Sequence, residues 1–268
     1  MPDSAVKRQL FKTPYNRSHV KRVSFDRIAE EYDKTRELPE DVMNKVLDAL
    51  CEEVPEGSGI LDIGSGTARF ALQLSRRGFS VVGIDISEKM LGISRHKGFD
   101  RLVRADAAFL PFRDAAFDFA LAVHVLHLLE DWIVAVAEIR RVLRDSLVSV
   151  VIENEIKWFG ESYHDLLRER GYDKDHPGIG EKSLAERVKP RLVKEVASVT
   201  HHQAADRVID RLDGRCFSSQ WEVPEELHRA VITEMREKYS GEEFENSYDV
   251  LVYMWDVGQL DELVTEAR

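Results

Sequence analysis

A glycine-rich turn between two apolar segments constrains this chain more than any other feature. Ile60–Ile63 is a short apolar run typical of a buried parallel strand, and the glycines of Gly64-Ser65-Gly66 end it. Apolar residues then recur at helical spacing up to Arg77, and a second strand-like segment, Phe79–Ile84, ends at Asp85. The pattern predicts a strand–turn–helix–strand unit of an α/β fold, with the turn and the helix N-terminus facing a nucleotide-like ligand.

The spacing of the glycines separates two classes of ligand. A dinucleotide-binding turn has the pattern G-x-G-x-x-G, and Arg69 occupies the position of the third glycine here. Asp62 precedes the turn and no lysine lies between it and Asp85, which favours a ligand without phosphate groups. A nicotinamide-dependent oxidoreductase is therefore disfavoured, and a glycine-rich turn in some other α/β protein is the remaining alternative.

Composition disfavours several classes of binding partner, site and cellular location. Its 268 residues allow one large or two small domains, and its net charge of −11 disfavours broad nucleic-acid binding. Cys51 and Cys216 are too few and too far apart for a disulfide framework or a metal cluster. No apolar run approaches the roughly 18 residues that a membrane-spanning helix needs. We therefore expect a cytoplasmic protein without a metal site or a membrane segment.

Three motifs in register resemble a single family. The pattern D-x-G-x-G-T at residues 62–67, followed by Asp85, resembles motif I and the acidic residue of S-adenosylmethionine-dependent methyltransferases with the Rossmann-like fold. The pattern F-D-x-x-A-x-x-Y-D at residues 25–33 and the segment ADAAFLPFRDAAFD at residues 105–118 are similar to segments of small-molecule members. The resemblance covers about residues 25–153 and indicates the ubiquinone-biosynthesis-like (methyltransferase type 11) group.

The resemblance implies a role for each matching position. Asp62 and the glycine turn would hold the methionine part of S-adenosylmethionine, and Asp106 would accept a hydrogen bond from the adenine amino group. Asp85 would hold the ribose, because a carboxylate can accept hydrogen bonds from two hydroxyl groups. Tyr32 would lie over the cofactor as part of a lid, or else pack within its helix. The predicted cofactor-binding residues are Tyr32, Asp62, Gly64, Ser65, Gly66, Thr67, Asp85, Ile86, Asp106, Ala107 and Val123.

Two histidines are the candidate catalytic residues. Phe117–Val123 is predicted to be a strand, and His124 and His127 follow it at the edge where open α/β sheets bind their ligands. Either histidine would act as a general base towards the methyl acceptor, or both would form the pocket wall. SN2 methyl transfer often needs only alignment and desolvation of its reactants, so both interpretations stay open.

The predicted fold is α/β, with a seven-stranded Rossmann-like methyltransferase sheet flanked by helices. Residues 1–24 are predicted to form a basic arm and residues 25–268 the methyltransferase domain. Within that domain, the cofactor core would cover about residues 25–153, and a helical cap with the last strands about residues 154–268. Candidate pocket residues in the cap, or else residues of its core, are Trp158, Tyr163, Arg215, Phe217 and Trp221.

The sequence also predicts the bounds of three strands in the second half of the chain. Relatives usually carry a Pro-Gly-Gly helix stop before the fifth strand, and residues 141–146 contain neither residue type. The turn is therefore assigned to Asp145 and Ser146, with the fifth strand at Leu147–Ile152. Leu192–Thr200 is predicted to be the sixth strand, with a helix from Gln203, and Tyr248–Trp255 the last, antiparallel beside the sixth.

The predicted function is methyl transfer from S-adenosylmethionine to a small-molecule acceptor. The alternatives are a tRNA-modifying methyltransferase and a non-catalytic S-adenosylmethionine-binding partner subunit. RNA binding would use the N-terminal arm, whose basic residues are accompanied by no acidic residue between Ser4 and Phe25. A solvated arm is the simpler interpretation of that charge run. The acceptor and the oligomeric state are not readable from the sequence.

Overall fold

The computed structural model of the chain describes residues 24–35, 38–153, 161–174 and 176–266. The basic side chains of the predicted N-terminal arm lie outside these ranges, and so does Trp158.

A seven-stranded mixed sheet organises the described residues, as the sequence predicted. The strand order is β3-β2-β1-β4-β5-β7-β6. Strands β1 to β5 run parallel, whereas β7 runs antiparallel to both β5 and β6. The strands are β1 (Gly59–Ile63), β2 (Ser80–Asp85), β3 (Leu102–Arg104), β4 (Phe117–Val123), β5 (Leu143–Glu153), β6 (Leu192–Ala204) and β7 (Glu243–Asp256).

Helices cover both faces of the sheet because neighbouring residues of the buried strands point to opposite faces. On one face, α5 and α10 pack on a core that contains Leu61 and Trp255. On the other, α2 and α3 pack on a core that contains Ile60 and Met254. The helices are α1 (Tyr32–Thr35), α2 (Glu40–Glu53), α3 (Arg69–Arg76), α4 (Glu88–His96), α5 (Trp132–Val142), α6 (Glu161–Glu169), α7 (Glu181–Arg187), α8 (Ala205–Asp213), α9 (Glu225–Tyr239) and α10 (Val257–Glu266).

Helices α6, α8 and α9 form the helical cap around a core of their own. Tyr163 of α6, Ile209 of α8 and Met235 of α9 are fully buried together in a cluster distinct from the two cores of the sheet. Each helix contributes its apolar residues at a spacing of three or four, which places them on one face. The cap therefore has its own packing and stands on the half of the sheet that carries the antiparallel strands.

The predicted turn before the fifth strand was wrong. Helix α5 ends at Val142 and β5 begins at the next residue, so Asp145 and Ser146 lie within the strand. The pairing with β4 shifts register between Phe117 and Phe119, which face Leu143 and Ser146. Over this stretch β5 carries one residue more than β4, which a bulge permits. The chain therefore passes from α5 directly into β5 without a Pro-Gly-Gly turn.

Other boundaries also differ from those predicted. Strand β6 continues to Ala204, and the helix expected from Gln203 begins at Ala205. The polar end of β6 stays extended because β7 pairs with it as far as Glu243. Helix α10 was not predicted, although its Leu260 side chain is fully buried against the sheet.

Candidate functional site

An open cavity of about 930 Å³, counted to its mouth, lies beyond the carboxyl ends of β1, β2 and β4. Gly64, Asp85 and Val123, at the ends of these three strands, line it. Strand β1 sits between β2 and β4, so the strand order reverses here. Open α/β sheets bind ligands at such a reversal of strand order. We call it the central cavity.

The glycine turn after β1 has a backbone that only glycine adopts without strain. Gly64 has φ +65°, and a Cβ added there would lie 2.7 Å from Cγ2 of Val125. Gly66 and Ala68 also have positive φ, so α3 begins only at Arg69. The turn is therefore folded tightly against the loop that follows β4, and its backbone faces the central cavity.

Asp85 ends β2 with its carboxylate held between two backbone amides. Its Oδ2 accepts a hydrogen bond from the amide of Gly66 at 2.9 Å, and its Oδ1 accepts one from the amide of Ser87 at 2.8 Å. Burial raises the pKa of Asp85, and these two hydrogen bonds oppose that rise. Each oxygen keeps a second lone pair, so the carboxylate can accept further hydrogen bonds from a ligand in the cavity.

Asp62 lies in the interior of β1, beneath the glycine turn. Burial, reinforced by the negative charge of Asp85, raises the pKa of Asp62 to about 7. Its side chain borders a smaller cavity that shares Tyr32, Gly64, Val123 and His124 with the central cavity. Ser65 and Thr67 border the same smaller cavity. A cationic ligand group there would favour the ionised form of Asp62.

Residues 24–35 cover one side of the central cavity as a lid. Phe25 and Tyr32 line the cavity, and their ring centroids lie 5.5 Å apart. Asp33 accepts hydrogen bonds from Thr67 Oγ1 at 2.5 Å and from the ammonium of Lys97. These contacts tie the lid to Thr67, in the glycine turn before α3, and to Lys97 at the end of α4.

Another wall of the central cavity combines a carboxylate with apolar side chains. Asp106 follows β3, and its Oδ1 accepts a hydrogen bond from the amide of Ala108 at 3.0 Å. Ala107, Ile86 and Met90 line the cavity beside Asp106. Apolar surfaces next to a hydrogen-bonding edge suit a flat heteroaromatic ring.

The two predicted catalytic histidines lie on opposite sides of one turn. His124 lines both cavities and has φ +54°, a conformation that costs a non-glycine residue energy and often occurs at functional sites. His127 lies in the 3-10 turn Leu126–Leu128 and lines neither cavity. Its ring centroid is 4.6 Å from that of His176. The structure therefore brings only His124 to the central cavity.

Two carboxylates of the central cavity were not predicted from the sequence. Glu130 and Asp131 both line it. Asp131 occupies the N-cap position of α5, where aspartate is common, but its side chain makes no capping hydrogen bond. Its Oδ2 is buried without a hydrogen-bond partner among the described residues, which makes it a candidate ligand contact. The other lining residues that were not predicted are Phe25, Ile63, Ile84, Met90, Ala105, Ala108, Val125, Leu128, Leu129 and Ala135.

The cap residues predicted from the sequence serve mainly the structure of the cap. Tyr163 is fully buried, with its hydroxyl 2.6 Å from Nδ1 of His228. The Arg215 guanidinium donates hydrogen bonds to the carbonyl groups of Gln220 and Val223. Trp221 packs on the lid, and Phe217 packs at the edge of the cap core. None of these predicted cap residues lines the central cavity.

Within the described parts of the chain, no helix combines the length and apolar character needed to cross a membrane. Among the same residues, no group of three or more His, Cys, Asp and Glu side chains could hold a metal ion.

Comparisons with known proteins match the sheet and the glycine turn. Residues 61–147 match the family model described as a methyltransferase domain. The uncharacterized protein MJ1123 of Methanocaldococcus jannaschii is 31% identical over 190 residues, covering 70% of this chain and 88% of that protein. A demethylmenaquinone methyltransferase of Staphylococcus carnosus is 32% identical over 139 residues, covering 48% of this chain and 58% of that enzyme.

Solved structures share the fold. The YcgJ protein of Bacillus subtilis superimposes with a TM-score of 0.53 at 20% identity, covering 81% of this chain and 99% of that chain. With the seven-stranded sheet, the glycine turn and the family match, the chain belongs to the S-adenosylmethionine-dependent methyltransferases with the Rossmann-like fold. It spans a little over half of the demethylmenaquinone methyltransferase that it matches.

Proposed function

We propose that the central cavity binds S-adenosylmethionine and that the enzyme methylates a small-molecule acceptor. The observation that carries this proposal is the Asp85 carboxylate, which two backbone amides hold at the reversal of strand order. The Asp85 side chain lines the cavity, and a carboxylate can accept hydrogen bonds from the two hydroxyl groups of a ribose. Gly64 lines the cavity beside Asp85, and its close approach to Val125 leaves no space for a side chain at residue 64.

In this proposal, the remaining residues of the cavity bind different parts of the cofactor. Asp62, Ser65 and Thr67 would hold the methionine part, because they border the smaller cavity next to the glycine turn. Asp106 would accept a hydrogen bond from adenine, with Ile86 and Ala107 against the ring. Tyr32 would close the lid over the methionine part. The carboxylates and the apolar wall fit a cationic, nucleoside-containing molecule without phosphate groups.

The enzyme's own groups would align the acceptor and exclude water. Bound S-adenosylmethionine would supply an electrophilic methyl group for the acceptor's lone pair, with the carbon–sulfur electron pair returning to sulfur. His124 lines the cavity at the end of β4 and is placed to take the proton that an acceptor hydroxyl or amine loses. The lid and the loop after β4 keep water from the reacting atoms, which favours SN2 attack on a cation.

A small acceptor is favoured over RNA because the lid covers one side of the central cavity. The lid residues Phe25 and Tyr32 line the central cavity on one side, and the Leu128 side chain lines it on another. The RNA alternative depends on basic residues that lie outside the described ranges. The demethylmenaquinone methyltransferase among the relatives acts, by its name, on a small molecule. We also propose a cytoplasmic location, since Cys51 and Cys216 are both free thiols.

Calorimetric titration with S-adenosylmethionine and with S-adenosylhomocysteine tests this function. The wild type should bind both with micromolar dissociation constants, and Asp85→Ala should bind at least about tenfold more weakly, which corresponds to about 1.4 kcal/mol. Asp100→Ala is the matched control, because Asp100 is exposed and lies outside the cavity. Folded wild type that binds neither ligand, or an Asp85→Ala variant with wild-type affinity, would contradict the proposed cofactor site.

A further inference from the structure

Arg69 is a cation beside the glycine turn to which the proposed function gives no role. In the sequence it occupies the position at which a dinucleotide-binding turn has its third glycine. In the structure it is the first residue of α3, and its half-buried side chain lines the smaller cavity that Asp62 borders. A guanidinium group therefore belongs to the lining of this cavity.

The side chain of Arg69 is held at the cavity wall by its neighbours in the chain. Ala68, the N-cap residue of α3, has φ +61°, so the backbone turns sharply just before Arg69. The guanidinium carbon of Arg69 lies over the ring of Phe70, 5.8 Å from the ring centroid. Phe70 is buried and lines the same cavity. Because an aromatic face attracts a guanidinium, this contact keeps the charge of Arg69 next to the cavity.

The smaller cavity adjoins the central cavity at the glycine turn. The residues that line both cavities are Tyr32, Gly64, Val123 and His124. The amide of Gly66 in the turn donates a hydrogen bond to Asp85. Arg69 follows Gly66 by three residues, which span at most about 11 Å. A ligand whose ribose lies at Asp85 can therefore extend an amino-acid group towards Arg69.

The charges of the two cavities single out Arg69. Among the described residues that line either cavity, Arg69 is the only lysine or arginine. The acidic residues of the lining are Asp62, Asp85, Asp106, Glu130 and Asp131. These carboxylates attract the ammonium and sulfonium groups of S-adenosylmethionine, but they repel its carboxylate. The guanidinium of Arg69 is therefore the permanently charged partner that these cavities offer to a ligand carboxylate.

We propose that Arg69 binds the α-carboxylate of the methionine part of S-adenosylmethionine and makes cofactor binding depend on that carboxylate. This inference rests on the proposed function, because it presumes that the central cavity holds the adenosyl part. The planar fork of a guanidinium matches the two oxygens of a carboxylate. Asp62 and Arg69 then present opposite charges to the two charged groups of the amino acid.

The proposed contact determines which adenosine thioethers the site accepts. S-adenosylhomocysteine carries the carboxylate, whereas decarboxylated S-adenosylhomocysteine keeps the adenosyl group, the sulfur and the amine but lacks it. The second ligand leaves the Arg69 guanidinium without its proposed partner in the smaller cavity. The site should therefore discriminate between two ligands that differ only in this group, and Arg69 should account for the difference.

Calorimetric titration of the full-length protein with these two ligands tests the inference. Wild type should bind S-adenosylhomocysteine at least about tenfold more tightly than the decarboxylated ligand. Arg69→Ala should bind S-adenosylhomocysteine at least about tenfold more weakly than wild type does, and the decarboxylated ligand within about twofold of the wild-type affinity. Arg69→Lys keeps the charge without the fork and should have an intermediate affinity for S-adenosylhomocysteine.

Arg76→Ala is the matched control, because Arg76 is exposed on the same helix and lines neither cavity. It should bind both ligands as wild type does. Arg69→Gln keeps part of the aliphatic stem that packs on Phe70, and it should reproduce the selective loss. Undiminished binding of the decarboxylated ligand by these variants would show that they are folded and that their adenosyl site is intact.

Two results would overturn the role of Arg69 while leaving the cofactor site in place. Wild-type affinity of Arg69→Ala for S-adenosylhomocysteine would mean that other groups, such as the amides of the glycine turn, bind the carboxylate. Equal weakening of both ligands in Arg69→Ala and Arg69→Gln would mean that Arg69 supports the structure of the turn. A folded wild type that binds neither ligand would instead contradict the proposed function on which this assignment depends.

Discussion

The ring of Phe25 packs edge-on against the indole of Trp221, with 4.9 Å between the ring centroids. Phe25 belongs to the lid and lines the central cavity, whereas Trp221 belongs to the cap. The guanidinium of Arg27 lies over the same indole, 5.6 Å from its centroid. The indole itself is fixed by a hydrogen bond from its Nε1 to the Arg215 carbonyl at 2.9 Å. The lid and the cap are thus joined directly above the site.

We expect Phe25 and Trp221 to be energetically coupled. Phe25→Ala, Trp221→Ala and the double variant form a cycle whose coupling in the free energy of unfolding should be about 0.5–1.5 kcal/mol. Each single change should also weaken S-adenosylhomocysteine binding, because a detached lid must be ordered again when the ligand binds. Urea unfolding and calorimetry measure the two effects. Trp221→Phe keeps an aromatic ring and should retain most of the coupling energy and most of the S-adenosylhomocysteine affinity. Strictly additive single changes would show that the lid and the cap are independent.

A second prediction compares a crowded glycine in the glycine turn, Gly64, with an uncrowded one in α4, Gly92. Gly64→Ala should destabilise the protein by about 1–3 kcal/mol, because it combines a positive φ with a Cβ 2.7 Å from Val125. Gly92→Ala, within α4, should instead stabilise it by about 0.5–1 kcal/mol, because nothing lies within 4 Å of the added Cβ. Urea unfolding compares the two directly.

The same glycine variants bear on the cofactor site. Relieving the clash in Gly64→Ala pushes the turn or Val125 into the central cavity, so S-adenosylhomocysteine affinity should fall as well. Gly92→Ala should bind with wild-type affinity. A Gly64→Ala variant with wild-type stability and affinity would mean that the close packing of the turn on Val125 has no consequence for the protein.

The parts of the fold that the sequence predicted well are those specified locally. The turn at Gly64, the short apolar strands and the amphipathic helices each carry their signal within about ten residues, and the helix after β2 follows a typical N-cap residue, Ser87. Asp85 and Asp106 were predicted as cofactor-binding residues from the family resemblance, and both line the central cavity at strand ends. Strand ends of a parallel sheet meet at one edge, which makes such positions predictable.

The features that were missed depend on partners distant in sequence. Strand β6 runs on to Ala204 because β7 pairs with it, and β5 begins without a turn because its register against β4 shifts. Asp131 carries an ordinary helix-capping signal, and only the folded loop shows that its carboxylate turns into the cavity. His127 lies in the same loop as His124, but the 3-10 turn places its ring against His176 rather than in the central cavity. Local sequence patterns carry none of this information.

The pKa of Asp62 gives a prediction about stability and pH. The folded-state pKa is about 7, whereas an unfolded aspartate titrates near about 3.9. Between these values the folded state binds the additional proton, so the stability contributed by protonated Asp62 is complete below about pH 3.9 and is lost as pH rises towards 7. Asp62→Asn removes this loss. The stability advantage of the variant over wild type should grow by up to about 1.4 kcal/mol per pH unit and level off above pH 7.

Urea unfolding at pH 5, 6, 7 and 8 without ligand measures this difference, with Asp100→Asn as the control that should follow wild type at every pH. Parallel curves for wild type and Asp62→Asn would show that Asp62 is ionised throughout. Ligand binding should have the opposite pH dependence, because the cationic methionine part favours ionised Asp62. Wild-type affinity for S-adenosylmethionine should therefore rise as pH increases through 7, whereas the affinity of Asp62→Asn should be lower and nearly independent of pH. The buried carboxylate thus lowers the stability of the empty protein at neutral pH and contributes to holding the cofactor when it binds.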